Sequence, residues 1–257
     1  MWNPADYLSF ADHRNRPFVE LTARIFATEP RRIVDLGCGP GNSTATLADR
    51  WPNAVVDAID SSPDMVAAAR ANGVSAAVLD VREWSPTADT DIVVANAALQ
   101  WIPEHRELLA RWPAQLSDGA VIAVQMPGNF DAPSHRIIRE LATTTRWAER
   151  LASAELRPAD AVDDPAKYVE LMTSRGCSVD AWETTYIQRL AGTDPVLDWV
   201  SGTALTPIYD VLDADERDEF RADLAPRLTA AYPPGQDGVT SFPFRRVFVV
   251  AVVSTAA

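Results

Sequence analysis

Between residues 31 and 126 short apolar runs alternate with amphipathic stretches, the pattern of parallel strands joined by helices. Arg31–Leu36 reads as a first strand and Asn42–Trp51 as the helix that follows it. Ala54–Ile59 is a second strand, ending at Asp60. Ser61-Ser62-Pro63-Asp64 then supplies a hydroxyl cap, a first-turn proline and an early acid, the signals of a helix start, and the helix runs from Met65 to Ala71. Val74–Leu79 is a third strand, ending at Asp80. Asp91–Asn96 is a fourth, and its unbroken apolar run marks a strand buried on both faces. A helix from about Glu104 to Trp112 leads to a strand at Ala120–Met126.

Two segments fall outside this alternation. Pro127–Asp163 includes a helical stretch at His135–Trp147, and Asp194–Tyr232 is helical and highly charged around Asp213–Glu219. Insertions of this length in compact domains are usually lids or binding elements. Ser178–Gln188 and Arg245–Val253 are expected to close the sheet as an antiparallel pair. With 257 residues and no internal repeat, the chain reads as one α/β domain with an elaboration. Its core covers about 31–126, 164–190 and 242–254, and a helical cap covers about 1–20, 128–163 and 194–232.

Composition narrows the function more than the fold. The hydrophobic fraction of 47% is ordinary, and no apolar run approaches the roughly 20 residues of a membrane span. The first residues lack the basic head and apolar core of a signal peptide. Cys38 and Cys177 are too few for a disulfide framework and are expected to be reduced, in the cytoplasm. A formal net charge of −13 argues against nucleic acid, which requires clustered Lys and Arg, and against an acidic membrane surface. A small anionic substrate is compatible only if local arginines hold it against the global field. No obligate protein partner is expected.

The candidate chemistry begins at Val34-Asp35-Leu36-Gly37-Cys38-Gly39-Pro40-Gly41-Asn42. A strand that turns into a helix through three glycines lets a ligand approach backbone closely. The spacing differs from the G-x-G-x-x-G of dinucleotide folds, which leaves room for a pyrophosphate. Asp35 just before the glycines suits a cationic ligand without phosphate. Asp60, at the end of the second strand, can accept both hydroxyls of a ribose or simply cap the next helix. Asp80 ends the third strand as an adenine acceptor or a solvated acid. Asn96, Gln100 and Trp101 follow the fourth strand, beside the glycine loop.

The run D-x-G-C-G-x-G resembles motif I of the class I methyltransferases that use S-adenosylmethionine, and Asp60, Asp80 and Asn96 follow in that family's order. The resemblance narrows to the trans-aconitate 2-methyltransferase family. It is carried by Trp2-Asn3-Pro4-x-x-Tyr7-Leu8-x-Phe10 with Arg14-x-Arg16-Pro17, by Asp60-Ser61-Ser62-Pro63-x-Met65, and by Asn96-Ala97-x-Leu99-Gln100-Trp101 with Pro103-x-His105. Ala123-Val124-Gln125-Met126-Pro127, Gly176–Tyr186, Asp198-Trp199-Val200 and Phe244–Ala251 extend it along nearly the whole chain. It departs at Thr206, where some members carry arginine, which leaves the acid itself open. The resemblance implies a Rossmann-like fold, with a seven-stranded, mostly parallel sheet, an antiparallel last strand and a helical cap. It also implies S-adenosylmethionine as methyl donor, held by Asp35, Gly37, Gly39, Gly41, Asp60, Ser61, Asp80, Val81, Asn96 and Gln100.

The implied reaction is O-methylation of a carboxylate on a small polycarboxylic acid. An ionised carboxylate, with a reference pKa near ~4, is already a nucleophile at neutral pH. No general base and no metal is therefore expected; the work is desolvation and in-line positioning. The other carboxylates need anchors, for which arginine's planar fork is suited. Arg246 and Arg245 on the last strand, His105, and the N-terminal Arg14 and Arg16 are candidates. Trp101, Tyr186, Trp199 and Tyr209 are candidate walls and polar tips. Each arginine has the alternative of a surface ion pair, and His105 that of a helix-start surface residue. Methylation of another small acid or a carrier-bound acyl group, a non-catalytic donor-binding protein, and a nicotinamide oxidoreductase are the competing readings.

Overall fold

The structure, a computed structural model, describes residues 11–254, with side chains from Arg16 onward. The expected motif at Trp2–Phe10 and the side chain of Arg14 lie outside the described residues. In chain order the larger elements are α1 (Ala11–Thr22), β1 (Arg32–Leu36), α2 (Asn42–Arg50), β2 (Val55–Asp60), α3 (Pro63–Ala71), β3 (Ala76–Val78) and β4 (Thr90–Asn96). They continue with α4 (His105–Arg111), β5 (Val121–Pro127), α5 (Pro133–Ala142), α6 (Pro165–Thr173) and β6 (Cys177–Leu190). The last are α7 (Pro195–Ser201), α8 (Thr206–Tyr209), α9 (Ala214–Ala231) and β7 (Thr240–Val253).

The strands form a seven-stranded sheet in the order β3-β2-β1-β4-β5-β7-β6. The β3-β2-β1-β4-β5 ladders are parallel, and β7 runs antiparallel to β5. Chain order reverses between β1 and β4, which opens a crevice at the carboxyl ends of those strands. Ile92, Val93, Val94 and Ala95 of β4 are wholly buried, as an unbroken apolar run in a central strand requires.

Several boundaries differ from the sequence reading, each for a local reason. The third strand shrinks from Val74–Leu79 to three residues, because β3 is an edge strand whose ladder pairs only Ala76, Ala77 and Val78. The helix expected at His135–Trp147 begins earlier, with Pro133 in its first turn after extended Ala132. It ends at Ala142, where the Thr143 and Thr144 hydroxyls bond the Glu140 and Leu141 carbonyls. β7 starts at Thr240, not Arg245: Pro243 is exposed while Phe242 and Phe244 alternate inward.

By its contacts the chain divides into two compact units. Of the described residues, the larger holds 11–127, Asp163–Thr184 and 246–254; the smaller holds Gly128–Val162 and Thr185–Arg245. Helix α1, expected with the cap segments, packs on β5 within the larger unit. The smaller unit has its own aromatic core, with Trp199 against Phe242 and Phe244, and Trp147 against Phe220. Its α9 opens with a capping box: Asp213 accepts from Glu216 N–H while the Glu216 carboxylate accepts from Asp213 N–H.

Candidate functional site

The carboxyl ends of β1, β2 and β4 enclose a cleft of about 280 Å³ within the larger unit. Its floor is the glycine loop, which is tied to the neighbouring strand. Gly37 N–H and Cys38 N–H both donate to Ile59 carbonyl, at 2.8 and 3.0 Å, and Gly39 N–H donates to the Asp60 carboxylate at 2.9 Å. Gly37 has φ +78°, and a Cβ there would stand 2.4 Å from Ala98 Cβ, so the β1 and β4 turns meet only because Gly37 lacks a side chain. Gly39 has φ +55° and a Cβ built on it meets nothing within 4 Å, since it would project into open space. Gly41 lies beneath, packed on Ala69 and Val74.

The acids are held in distinct ways. Asp35 is buried and accepts from Thr44 Oγ1 at 2.6 Å; burial pushes its pKa up to about 6, the hydroxyl opposing this and Asp60 reinforcing it. Asp60 splits its carboxylate between Gly39 N–H and Ser62 N–H, the latter at 2.9 Å. That leaves one lone pair on each oxygen for a ligand hydroxyl. Asp80 accepts from Arg82 Nε, Nη2 and backbone N–H, and this pairing holds its pKa below the usual carboxylate range. Burial and the two neighbouring acids push the Cys38 thiol up to about 12, so it stays protonated and inert as a nucleophile.

Beyond β4 the chain turns through Ala97, a non-glycine residue with φ +54°, held by its N–H to Gln125 carbonyl at 2.8 Å and by Gln100 Nε2 to its own carbonyl at 2.6 Å. Such a conformation costs roughly 1–2 kcal/mol and is retained where the turn shapes a site. Asn96 lines the cleft, and its buried Oδ1 has no hydrogen-bond partner among the described residues. Trp101 lines it from the short 3₁₀ turn Leu99–Trp101.

The structure thus brings Asp35, Gly37, Gly39, Asp60, Ser61, Asp80, Val81, Asn96 and Trp101 together in one cleft, with Gly41 and Gln100 supporting its walls. Arg82, Ala98 and Ile102 also line it and were not singled out from sequence, and Met65 and Ala97, quoted there only within motifs, line it too. The close approach demanded by Gly37 was the one available signal for Ala98.

The expected substrate residues fare differently. His105 is not the helix-start surface residue that was its alternative reading: it is buried, with Nδ1 on Ile102 carbonyl and Nε2 on Tyr168 hydroxyl at 2.8 Å, and burial lowers its pKa. Both ring nitrogens serve the packing of α4 and α6, so it does not line the cleft. Arg245 and Arg246 also cannot act as one pair, because successive strand residues face opposite sides of a sheet. Arg246 is 6% exposed and donates to Gln125 Oε1, whereas Arg245 is half-buried and donates to Gly128 carbonyl. Tyr186 and Trp199 are buried in the smaller unit. There the Tyr209 hydroxyl accepts from Arg221 at 3.1 Å, and both contact Ser201. Arg16 is exposed on α1.

Residues 33–119 match the family described as "Methyltransferase domain". The chain is 62% identical over 253 residues to trans-aconitate 2-methyltransferase of Rhodococcus jostii (strain RHA1), covering 98% of this chain and 100% of that protein. It is 52% identical over 256 residues to the protein of the same name from Mycobacterium tuberculosis (strain ATCC 25177 / H37Ra), covering 100% and 98%. The chain belongs to the trans-aconitate 2-methyltransferase family. Solved structures show the fold. The YcgJ protein from Bacillus subtilis aligns with a TM-score of 0.58 at 12% identity, covering 94% of this chain and 100% of that one. Phosphoethanolamine N-methyltransferase 2 of Haemonchus contortus, in complex with S-adenosyl-L-methionine, aligns with a TM-score of 0.54 at 15% identity, covering 93% and 53%.

As in this family, S-adenosylmethionine is the methyl donor, and the cleft fits it on three counts. Open space faces Gly39, buried Asn96 Oδ1 lacks a donor, and Asp35 and Asp60 supply negative charge for a cationic ligand. Among the described residues no group of three or more His, Cys, Asp or Glu side chains is arranged to hold a metal ion. No helix among them is long and apolar enough to cross a membrane.

Two substitutions separate architecture from binding. Gly37→Ala should lower the melting temperature more than Gly39→Ala, because only the former collides with Ala98. Gly39→Ala should mainly weaken S-adenosylmethionine affinity, measured by calorimetry; equal effects of both on both quantities would refute the distinction. The pKa of Asp35 is raised from 3.8 to about 6, so its contribution to stability is full below about pH 4 and is lost as pH rises through about 6. Asp35→Asn should therefore remove part of the pH dependence of denaturant stability between those values, and superimposable wild-type and variant slopes would refute it.

Proposed function

We propose that this chain transfers the methyl group of S-adenosylmethionine to a carboxylate of trans-aconitate, or of a close relative among small polycarboxylic acids, forming a monomethyl ester. The observation that carries this reading is the identity of 62% along 98% of the chain, well beyond the match at 33–119. S-adenosylmethionine, when bound, supplies an electrophilic methyl group on a sulfonium.

The residues of this chain then have the following parts. The remaining lone pairs of Asp60 accept the ribose hydroxyls, while Asp80 and Val81 receive the adenine. The loop backbone at Gly37, Gly39 and Gly41, with Asp35, Ser61, Asn96 and Gln100, shapes the rest of the donor site. An ionised carboxylate needs no proton removed, so no side chain acts as general base. What the protein supplies is exclusion of water by Trp101 and Ile102 and anchoring of the acid by Arg246, whose fork can hold a carboxylate in two hydrogen bonds. Removing hydration from an anion that meets a sulfonium favours the charge-cancelling transition state. The helices of the smaller unit, with Tyr186, Trp199 and Tyr209, are the part assigned to acid selectivity. The reading places the enzyme in the cytoplasm, where the free thiols of Cys38 and Cys177 remain reduced.

Mass spectrometry after incubation with labelled donor and trans-aconitate should show one transferred methyl group and S-adenosylhomocysteine. No ester from trans-aconitate alongside full turnover of another acid would overturn the substrate. Arg246→Ala should raise the KM for the acid by about tenfold or more with the donor KM little changed. An unchanged acid KM would remove Arg246 from the site. Asp60→Ala should lower donor affinity by about tenfold or more, since it takes away hydroxyl acceptors and the tether of Gly39; normal affinity would exclude the ribose role.

A further inference from the structure

Three side chains form a polar row across the carboxyl ends of the central strands. Asn96 ends β4, Gln125 is its register partner on β5, and Arg246 on β7 stands two positions from Phe248, the partner of Gln125. Register partners share a sheet face, as do residues two apart on a strand, so all three project from the same face. Gln125 is wholly buried and Arg246 nearly so. Arg246 Nη1 donates to Gln125 Oε1 at 3.3 Å. Among the described residues the other half of that amide, Gln125 Nε2, has no hydrogen-bond partner, and nor does Asn96 Oδ1 on the adjacent strand.

A buried N–H donor without an acceptor is costly to leave in a folded protein. Arg246 cannot relieve it, because a guanidinium offers no acceptor. Asn96 could, yet these complementary orphans on neighbouring strands remain apart. The same face carries α1, packed on β5, and Trp182, which stacks on Phe248 with a ring separation of 4.8 Å. On this side Glu20 accepts from Trp182 Nε1 and Thr184 Oγ1, and the Arg24 guanidinium lies over the Trp182 ring. An orphan donor beside a guanidinium calls for an anionic oxygen, and Asn96 in the same row lines the donor cleft.

We propose that Gln125 is a positioning residue for the acid: Oε1 fixes the guanidinium of Arg246, and Nε2 donates to a carboxylate oxygen of the bound substrate. This rests on the assignment of Arg246 as the acid's anchor. Gln125 thereby sets the acid beside the methyl donor rather than acting on the donor itself.

The test compares wild type with Gln125→Leu, Gln125→Glu, Arg246→Ala and the Gln125→Leu/Arg246→Ala double variant. It reads acid KM and kcat, S-adenosylhomocysteine affinity by calorimetry, and melting temperature. Gln125→Leu should raise acid KM by about tenfold, with S-adenosylhomocysteine affinity within about twofold of wild type. Gln125→Glu keeps an acceptor for Arg246 but replaces the N–H donor by an anion, so its acid KM should rise further. The double variant should lose less than the product of the single losses, because the two groups hold one carboxylate.

A wild-type acid KM in Gln125→Glu would show that the amide only braces Arg246, and would overturn the proposal. Equal loss of acid and S-adenosylhomocysteine affinity in Gln125→Leu would overturn it in favour of sheet packing. If trans-aconitate is not turned over but another carboxylic acid is, the same variants are read on that acid, and only the substrate assignment fails. If Arg246→Ala leaves acid KM unchanged while Gln125→Leu raises it, the Arg246 anchor and the positioning through it both fall.

Discussion

The site depends on the junction between the glycine loop and the end of β2. Two loop N–H groups converge on the Ile59 carbonyl and a third on the Asp60 carboxylate. These bonds hold a turn that backbone preferences alone would leave loose, and they use the donors that would otherwise be buried unpaired. The same carboxylate reaches Ser62 N–H at the start of α3, so one acid joins β1, β2 and the next helix. Every other contact of the cleft is measured from this fixed floor, including the near-collision of Gly37 with Ala98.

A cationic donor and an acid substrate set different electrostatic demands. Asp35 and Asp60 provide negative charge near a cationic donor, and a raised Asp35 pKa of about 6 still leaves that carboxyl mostly ionised at neutral pH. An acid substrate meets the opposite problem in a chain of net charge −13. Many of its arginines are committed to ion pairs, such as Arg31 with Asp91 and Arg146 with Glu219 and Asp223. Arg246 is buried, and its guanidinium donates to the amide oxygen of Gln125.

The αβ alternation, the glycine loop and the strand-end acids were legible in the sequence because each is a local pattern. A buried parallel strand must be apolar throughout, a turn with positive φ favours glycine, and an acid at a strand end lies beside the crevice of such a sheet. The edge strand β3 was less legible, since apolar content does not reveal how many residues find a partner. The proline in β7 concealed five strand residues, although the alternation of Phe242 and Phe244 was present. His105 shows the limit most clearly. Its place two residues after Pro103 resembled the family's site pattern, but its two nitrogens are consumed by Ile102 and by Tyr168, which lies 63 residues along the chain.

The sequence by itself determined the class of fold, the glycine loop and the strand-end acids, because these follow from spacing within a few residues. Only the tertiary structure decided which polar groups are spent and which are open. Asp80 is shared with Arg82, Arg245 and Arg246 are turned to opposite faces, and Gln125 stands beside Asn96 through a strand register that joins residues 29 positions apart. The physical reason is that hydrogen-bond capacity is a property of the assembled surroundings: a side chain's chemistry is written in its identity, but its vacancy is set by neighbours distant in the chain.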